Sequence, residues 1–126
     1  MIVGIGMDVV DVARIARLLD APAAGRFVER CFTPGERAYC EAHVDRATRY
    51  AARFAAKEAL AKALGAPAGL RWTEVEVERG EGGAPRLRLR GAAEAAARSR
   101  GVGAVHLTLT HDAGVAAATV VLEREP

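Results

Sequence analysis

The stretch R-Y-A-A-R-F-A-A-K-E-A-L-A-K-A-L-G, Arg49 to Gly65, decides how the rest of the chain is read. It is rich in alanine and has no glycine or proline before its last residue, so it favours a helix of about four turns. Gly65 is a natural residue just past the C-terminal end. At about 100° per residue, Tyr50, Phe54 and Ala61 share one face, with Arg53 and Lys57 along one flank and Glu58 and Lys62 along the other. A helix that only covers a core sends its charges to the far side; here they border the apolar stripe. Lys57 and Lys62 are also the only lysines in the chain, all other strong cations being arginine. The ammonium is a compact point charge suited to phosphate, and the guanidinium a planar fork suited to bidentate phosphate contact. Taken alone, the helix has a competing reading as a solvated element carrying an i, i+4 Glu58–Lys62 pair, worth roughly a few tenths of a kcal/mol.

Working outward, 126 residues make one domain, residues 1–126, able to bury a modest core and small enough to gain from oligomerisation. Hydrophobic residues make up 51% and aromatics only 5%, which favours thin, closely packed elements. A net charge of +2 is too small to argue for nucleic-acid binding. Met1 leads straight into a strand-like run, and no apolar segment approaches the roughly 18 residues of a membrane helix. Cys31 and Cys40 are isolated thiols without CxxC spacing, which argues against a disulfide framework or zinc site. The expectation is a soluble cytosolic (cytoplasmic) protein with no membrane or nucleic-acid partner.

Ile2–Val10 reads as a strand with Val3, Ile5 and Met7 on one face and Gly4, Gly6 and Asp8 on the other. Glycine interrupts a strand where a backbone or ligand comes close, so the two glycines are expected to clear space on Asp8's side. Asp11 is better placed than Asp8 to cap the helix that follows, through about Asp20, whose Arg14 and Arg17 share an exposed side. Arg26–Phe32 reads as a further helical turn or two. Thr33-Pro34-Gly35-Glu36 is a capping box with proline at the first helical position, starting a helix to about His43. Asp45 is expected to cap the central helix, extended back to Arg46.

After Gly65 the period changes. Thr73–Arg79 and Arg86–Arg90 alternate Val and Leu with Glu and Arg and read as a hairpin with a wetted, charge-paired face. Ala92–Ser99 is a short helix, and Val105–Thr110 with Val115–Glu123 a second hairpin around a His111–Gly114 turn. The fold class is α+β: an antiparallel sheet packed on the long central helix, with the first strand joining it.

Asp8 ends a strand and Glu58 lies mid-helix between cations. Two carboxylates, phosphate oxygens and water make a Mg²⁺ site, because Mg²⁺ takes one or two protein carboxylates together with substrate phosphates. Arg53, Lys57 and Lys62 then hold the remaining phosphate charge, and His111, following Thr110, offers further donors to an anion. General chemistry alone therefore reads as polyphosphate plus divalent metal.

G-I-G-M-D at Gly4–Asp8, Phe32-Thr33-x-x-Glu36, R-F-A-A-K-E-A-x-x-K-A at Arg53–Ala63, L-T-H at Leu109–His111 and the A-A-A-x-V-V strand together resemble the holo-[acyl-carrier-protein] synthase family. These are the small single-domain 4′-phosphopantetheinyl transferases, and the resemblance runs from the first residue to about Glu123. It implies transfer of 4′-phosphopantetheine from coenzyme A to a serine of apo-acyl carrier protein, with release of adenosine 3′,5′-bisphosphate. It implies Asp8 and Glu58 as Mg²⁺ ligands, Lys62 beside the pyrophosphate, Arg53, Thr110 and His111 near the nucleotide and its 3′-phosphate, and Pro85 in a loop beside coenzyme A. The serine proton goes to a metal-bound water or to Glu58, and both remain open. No role is assigned to Arg46 or Arg49, because Ala42–Thr48 is less basic than the resemblance leads one to expect, with Asp45 beside Arg46.

The resemblance further implies a homotrimer with coenzyme A between subunits, and the Val115–Leu122 strand is expected to be buried against a neighbour. Arg14 and Arg17 are expected to receive the acidic carrier protein. The alternative is a non-catalytic trimeric module that binds coenzyme A or carrier protein. Retention of Asp8, Glu58 and Lys62 together argues against it.

Overall fold

The structure, a computed structural model, describes residues 1–125, the side chain of Glu81 excepted. The chain opens with β1 (Ile2–Asp11), whose last residue caps α1 (Val12–Asp20): the Asp11 carboxylate accepts the Ala13 N–H at 3.0 Å. Then come α2 (Ala24–Cys31) and α3 (Pro34–Glu41), the latter opened by the expected Thr33–Glu36 capping box. The central helix α4 spans Arg46–Ala63. Asp45 stands at its N-cap, but its carboxylate takes the Arg49 Nε–H at 3.2 Å and caps no backbone N–H, contrary to the sequence reading. Gly65, at φ 79°, ends the helix in the left-handed conformation that glycine adopts without penalty.

The second half is β2 (Val75–Arg79), β3 (Pro85–Leu89), α5 (Gly91–Ser99), β4 (Val102–Asp112) and β5 (Val115–Arg124). β1, β5 and β4 form an antiparallel sheet in that order, with the last strand central, while β2 and β3 stand apart as a separate two-stranded sheet. The charged hairpin turns Val75 and Val77 into the common core, while Glu78–Arg86 and Glu76–Arg90 pair at 3.0 and 3.1 Å on its other side. Ala113 and Gly114, at φ 51° and 81°, form a two-residue turn between β4 and β5. His111 and Asp112 therefore belong to a strand, not to the turn expected there.

Register puts Gly4, Gly6, Asp8 and Val10 of β1 beside Leu122, Val120, Ala118 and Ala116 of β5, and these β5 residues are all buried. The space the glycines clear is filled by α4 rather than left beside Asp8. A Cβ on Gly4 would fall on the Ala63 carbonyl oxygen, and one on Gly6 on that of Ala59. From the helix side, Ala51, Ala55, Ala56 and Ala59 have no exposure. The helix is thus buried almost all round, and the picture of charges bordering a single stripe is corrected: Arg53 and Lys57 are themselves buried within the packing. Alanine makes this possible, since it holds helical backbone without adding thickness.

Gly6→Ala forces backbone against backbone, a clash no rotamer change relieves, so it should cost about 3 kcal/mol or more and lower the melting temperature by at least ~10 °C. Gly25→Ala in α2, where a Cβ meets nothing within 4 Å, should be neutral or stabilising by up to about 1 kcal/mol. Thermal unfolding of the two variants side by side checks the pair.

Candidate active site

The close approach of β1 to α4 sets Asp8 on the strand against the helix turn that carries Glu58 and Lys62. Lys62 Nζ donates to Asp8 Oδ1 and to the Met7 carbonyl, both at 3.0 Å. Lys62 remains half exposed, so its ammonium still faces solvent while Asp8 is largely covered. Burial pushes the Glu58 carboxyl above the usual carboxylate range; the Asp8 carboxylate adds to this, and Lys62 and Arg14 oppose it. Asp8, Glu58, Lys62 and Arg14 from β1, α4 and α1 thus form one electrostatic cluster.

A carboxyl whose proton affinity is raised by a neighbouring carboxylate is relieved by a divalent cation. The donor set suits Mg²⁺: oxygen only, and with no group of three His, Cys, Asp or Glu among the described residues. Beside Glu58 opens a cleft of about 230 Å³, lined by Ala61, Pro67, Leu70 and Trp72.

Lys57, expected at phosphate, lines this same cleft, but its ammonium is turned to partners inside the fold. Its ammonium is buried, paired with Glu36 Oε1 at 2.7 Å, and donates to the carbonyls of Trp72 (2.9 Å) and Val75. Three acceptors take its three protons, leaving none for a ligand. Burial pulls the ammonium below its ordinary value, and Glu36 pulls the other way. Glu36 is also fully engaged, accepting from the Thr33 N–H at 2.9 Å and the Val77 N–H at 2.8 Å. The pair joins the start of α3 to α4 and β2, so Lys57 is a structural residue. A buried Lys looks identical to an exposed one in sequence until its partner, 21 positions away in Glu36, is known.

A second cleft, of about 200 Å³, gathers Arg53, Pro85, Thr110 and His111, the residues expected around the nucleotide. Arg49 and Arg79 line it too. Sequence reasoning left Arg49 aside and counted Arg79 as one more charge on a wetted hairpin. The signal that separates Arg79 is its place as the last residue of β2, opposite Pro85. Arg53 is 1% exposed and holds its guanidinium 4.0 Å above the Tyr39 ring. Within one chain the carboxylate cluster and the arginine cleft are therefore separate features.

Likeness to known proteins bears on this geometry. The family model for the 4′-phosphopantetheinyl transferase superfamily matches residues 4–120. A holo-[acyl-carrier-protein] synthase of Anaeromyxobacter sp. (strain K) is 65% identical over 125 residues, covering 98% of this chain and 97% of that relative. The crystal structure of a holo-(acyl-carrier-protein) synthase from Bacillus anthracis str. Ames in complex with CoA (3′,5′-ADP) superposes with TM-score 0.80 at 34% identity, covering 99% of each chain. The Helicobacter pylori synthase in complex with coenzyme A does so with TM-score 0.81 at 30% identity, covering 94% of this chain and 99% of that one. The chain belongs to the 4′-phosphopantetheinyl transferase superfamily, among its holo-[acyl-carrier-protein] synthases, and is an enzyme of that class.

Since Lys57 is structural, Lys57→Met should destabilise the fold by about 3–5 kcal/mol, because Glu36 is left buried without a counter-charge. Urea unfolding of Lys57→Met, Glu36→Gln and the double variant should show a coupling above about 1 kcal/mol. A stable Lys57→Met protein with only a raised KM for coenzyme A would return Lys57 to the phosphate.

Proposed function

We propose that this chain transfers 4′-phosphopantetheine from coenzyme A to a serine of apo-acyl carrier protein, with Mg²⁺, releasing adenosine 3′,5′-bisphosphate. The observation that carries this reading is the Asp8–Glu58–Lys62 cluster at the seam of β1 and α4. The coenzyme A complexes of the Bacillus anthracis and Helicobacter pylori relatives support the choice of donor.

Phosphoryl transfer asks mainly for positioning and charge neutralisation. Asp8 and Glu58 would hold the metal ion, which when bound supplies positive charge to the pyrophosphate oxygens. Lys62, anchored by Asp8 and the Met7 carbonyl, places its ammonium beside the same oxygens. Aspartate and glutamate are the bases of this cluster among the described residues, so the serine proton leaves toward a carboxylate, directly or through water. The Arg53 cleft takes the nucleotide end, with His111 and Thr110 supplying donors and Pro85 shaping one wall.

A homotrimer accounts for the separation of the carboxylate cluster from the arginine cleft, each half-site meeting its complement across a subunit boundary. Ile5, Met7 and Val9, 63%, 61% and 57% exposed, form an apolar row on the outer face of the sheet that suits such a contact. The row lies on β1 more than on the Val115–Leu122 strand from which the contact was expected. No helix of the described residues is long and apolar enough to cross a membrane.

Asp8→Asn and Glu58→Gln preserve shape while removing ligand charge, so each should lower turnover by at least about a hundredfold, an effect of ~2.7 kcal/mol, without lowering the melting temperature. Chelation by EDTA should stop the wild type, and added Mg²⁺ should restore it. Mass spectrometry of the carrier, reading the added phosphopantetheine mass, measures all three.

Arg14 and Arg17 are exposed on α1, and Arg14 is close enough for its charge to act on Glu58. An acidic carrier presenting its serine to the cluster has to pass this helix. Arg14→Glu should raise the carrier KM several-fold at low salt and less at high salt, where exposed charges are screened. Steady-state kinetics at two ionic strengths, with the coenzyme A KM as control, tests this; a carrier KM within about twofold at low salt, ~0.4 kcal/mol, removes the docking role.

A further inference from the structure

The arginine cleft is built more elaborately than the family motifs anticipate. Arg53 is buried, its Nη1 donates to the Arg49 carbonyl at 3.4 Å, and its Nε has no partner. No carboxylate lies within 4 Å of Arg53 among the described residues. The Asp45 carboxylate answers Arg49 at 3.2 Å, and nearby Glu76 and Glu78 are paired with Arg90 and Arg86. A buried cation without a counter-charge is costly, so this side chain is held ready for an anion that enters the cleft.

Tyr39 of α3 organises the cations around it. Its hydroxyl accepts from Arg79 Nη2 at 2.9 Å and from Arg49 Nη1 at 3.3 Å. Its ring lies 4.0 Å from the Arg53 guanidinium, 5.3 Å from that of Arg79 and 6.0 Å from that of Arg49. Arg79 is tied down further by the Gly83 carbonyl at 2.6 Å. Burial would raise the Tyr39 phenol, but the Arg79 hydrogen bond and the three guanidinium charges outweigh it and leave the phenol below its ordinary value. The oxygen therefore serves as an acceptor that gathers arginines. Like charges collected on one aromatic ring need a reason, and a dianionic ligand is one.

We infer that Arg79 and Tyr39 complete the phosphate end of this cleft: Arg79 is a specificity-determining phosphate ligand beside Arg53, and Tyr39 is the positioning residue that fixes both guanidiniums. The inference rests on reading the cleft as the nucleotide end of coenzyme A, and it names the 3′-phosphate as the group recognised. A monoester phosphate carries close to two charges at neutral pH and offers oxygens that a guanidinium fork meets bidentately.

The test uses coenzyme A and 3′-dephospho-coenzyme A as alternative donors, with binding of adenosine 3′,5′-bisphosphate measured by calorimetry as a readout independent of turnover. Arg79 is exposed, so Arg79→Met opens no hole in the core, and an unchanged melting temperature confirms it. This variant should raise the KM for coenzyme A about tenfold and weaken the bisphosphate to a similar extent. It should leave kcat, and the KM for the dephospho donor, within about twofold. Tyr39→Phe keeps the ring under Arg53 and removes only the hydroxyl, so it should shift the same ratio in the same direction by about threefold. An Arg79→Met enzyme with wild-type preference between the two donors overturns the ligand role. A Tyr39→Phe enzyme with wild-type preference, beside an altered Arg79→Met, overturns the positioning role. A wild type that uses both donors equally well removes the nucleotide reading itself.

Discussion

Backbone meets backbone where β1 crosses α4, and the rest of the molecule depends on that contact. Gly4 and Gly6 sit against the carbonyls of Ala63 and Ala59 with no side chain between them. Along the same seam Asp8 and Lys62 touch at 3.0 Å. The four fully buried alanines at 51, 55, 56 and 59 extend the same economy of thickness along the helix. Small residues on both elements set the distance at which the acidic and basic groups of the site meet.

Charge in this protein is sorted by depth. The Lys57–Glu36 pair lies out of solvent with every hydrogen-bonding partner supplied by the fold, and it joins three elements. Lys62 makes a similar contact with Asp8 at the surface, where its ammonium stays available. Arg53 is the intermediate case: buried like Lys57, yet with an unpartnered Nε and a cleft in front of it. Three cations within ten residues of one helix thus have three fates, decided by what packs over each.

Much of the architecture was legible because its signals are local. The Thr33–Glu36 capping box, Asp11 as cap and Gly65 as stop are each written within a few residues and formed as read. The period-2 runs formed strands with shifted ends: Thr73 and Glu74 stand in a turn before β2, and β4 runs on through Asp112. Asp45 failed as a cap because an arginine four residues on competed for its carboxylate. The expected Asp8, Glu58 and Lys62 do meet at one seam, and Arg53, Pro85, Thr110 and His111 do line one cleft. Lys57 was misread because its partner lies on another helix, and the arginines gathered by Tyr39 were missed because α3, α4 and β2 bring them together only in the folded chain. Sequence periodicity reports which face of an element a residue occupies, and says little about what is packed against that face.

Glu36 is a helix-start residue whose second oxygen crosses to the Val77 N–H and whose first also holds Lys57. A capping box normally steadies a helix by itself, so that the helix can flicker open or closed independently of its surroundings. Here the cap that starts α3 is also a strand partner of β2 and a counter-ion of α4. Loosening any one of the three strips a charge of its partner in a dry interior, which couples them into a single opening unit. The segment carrying Tyr39 is thereby tied to the central helix and the hairpin through a carboxylate that does not itself line the arginine cleft.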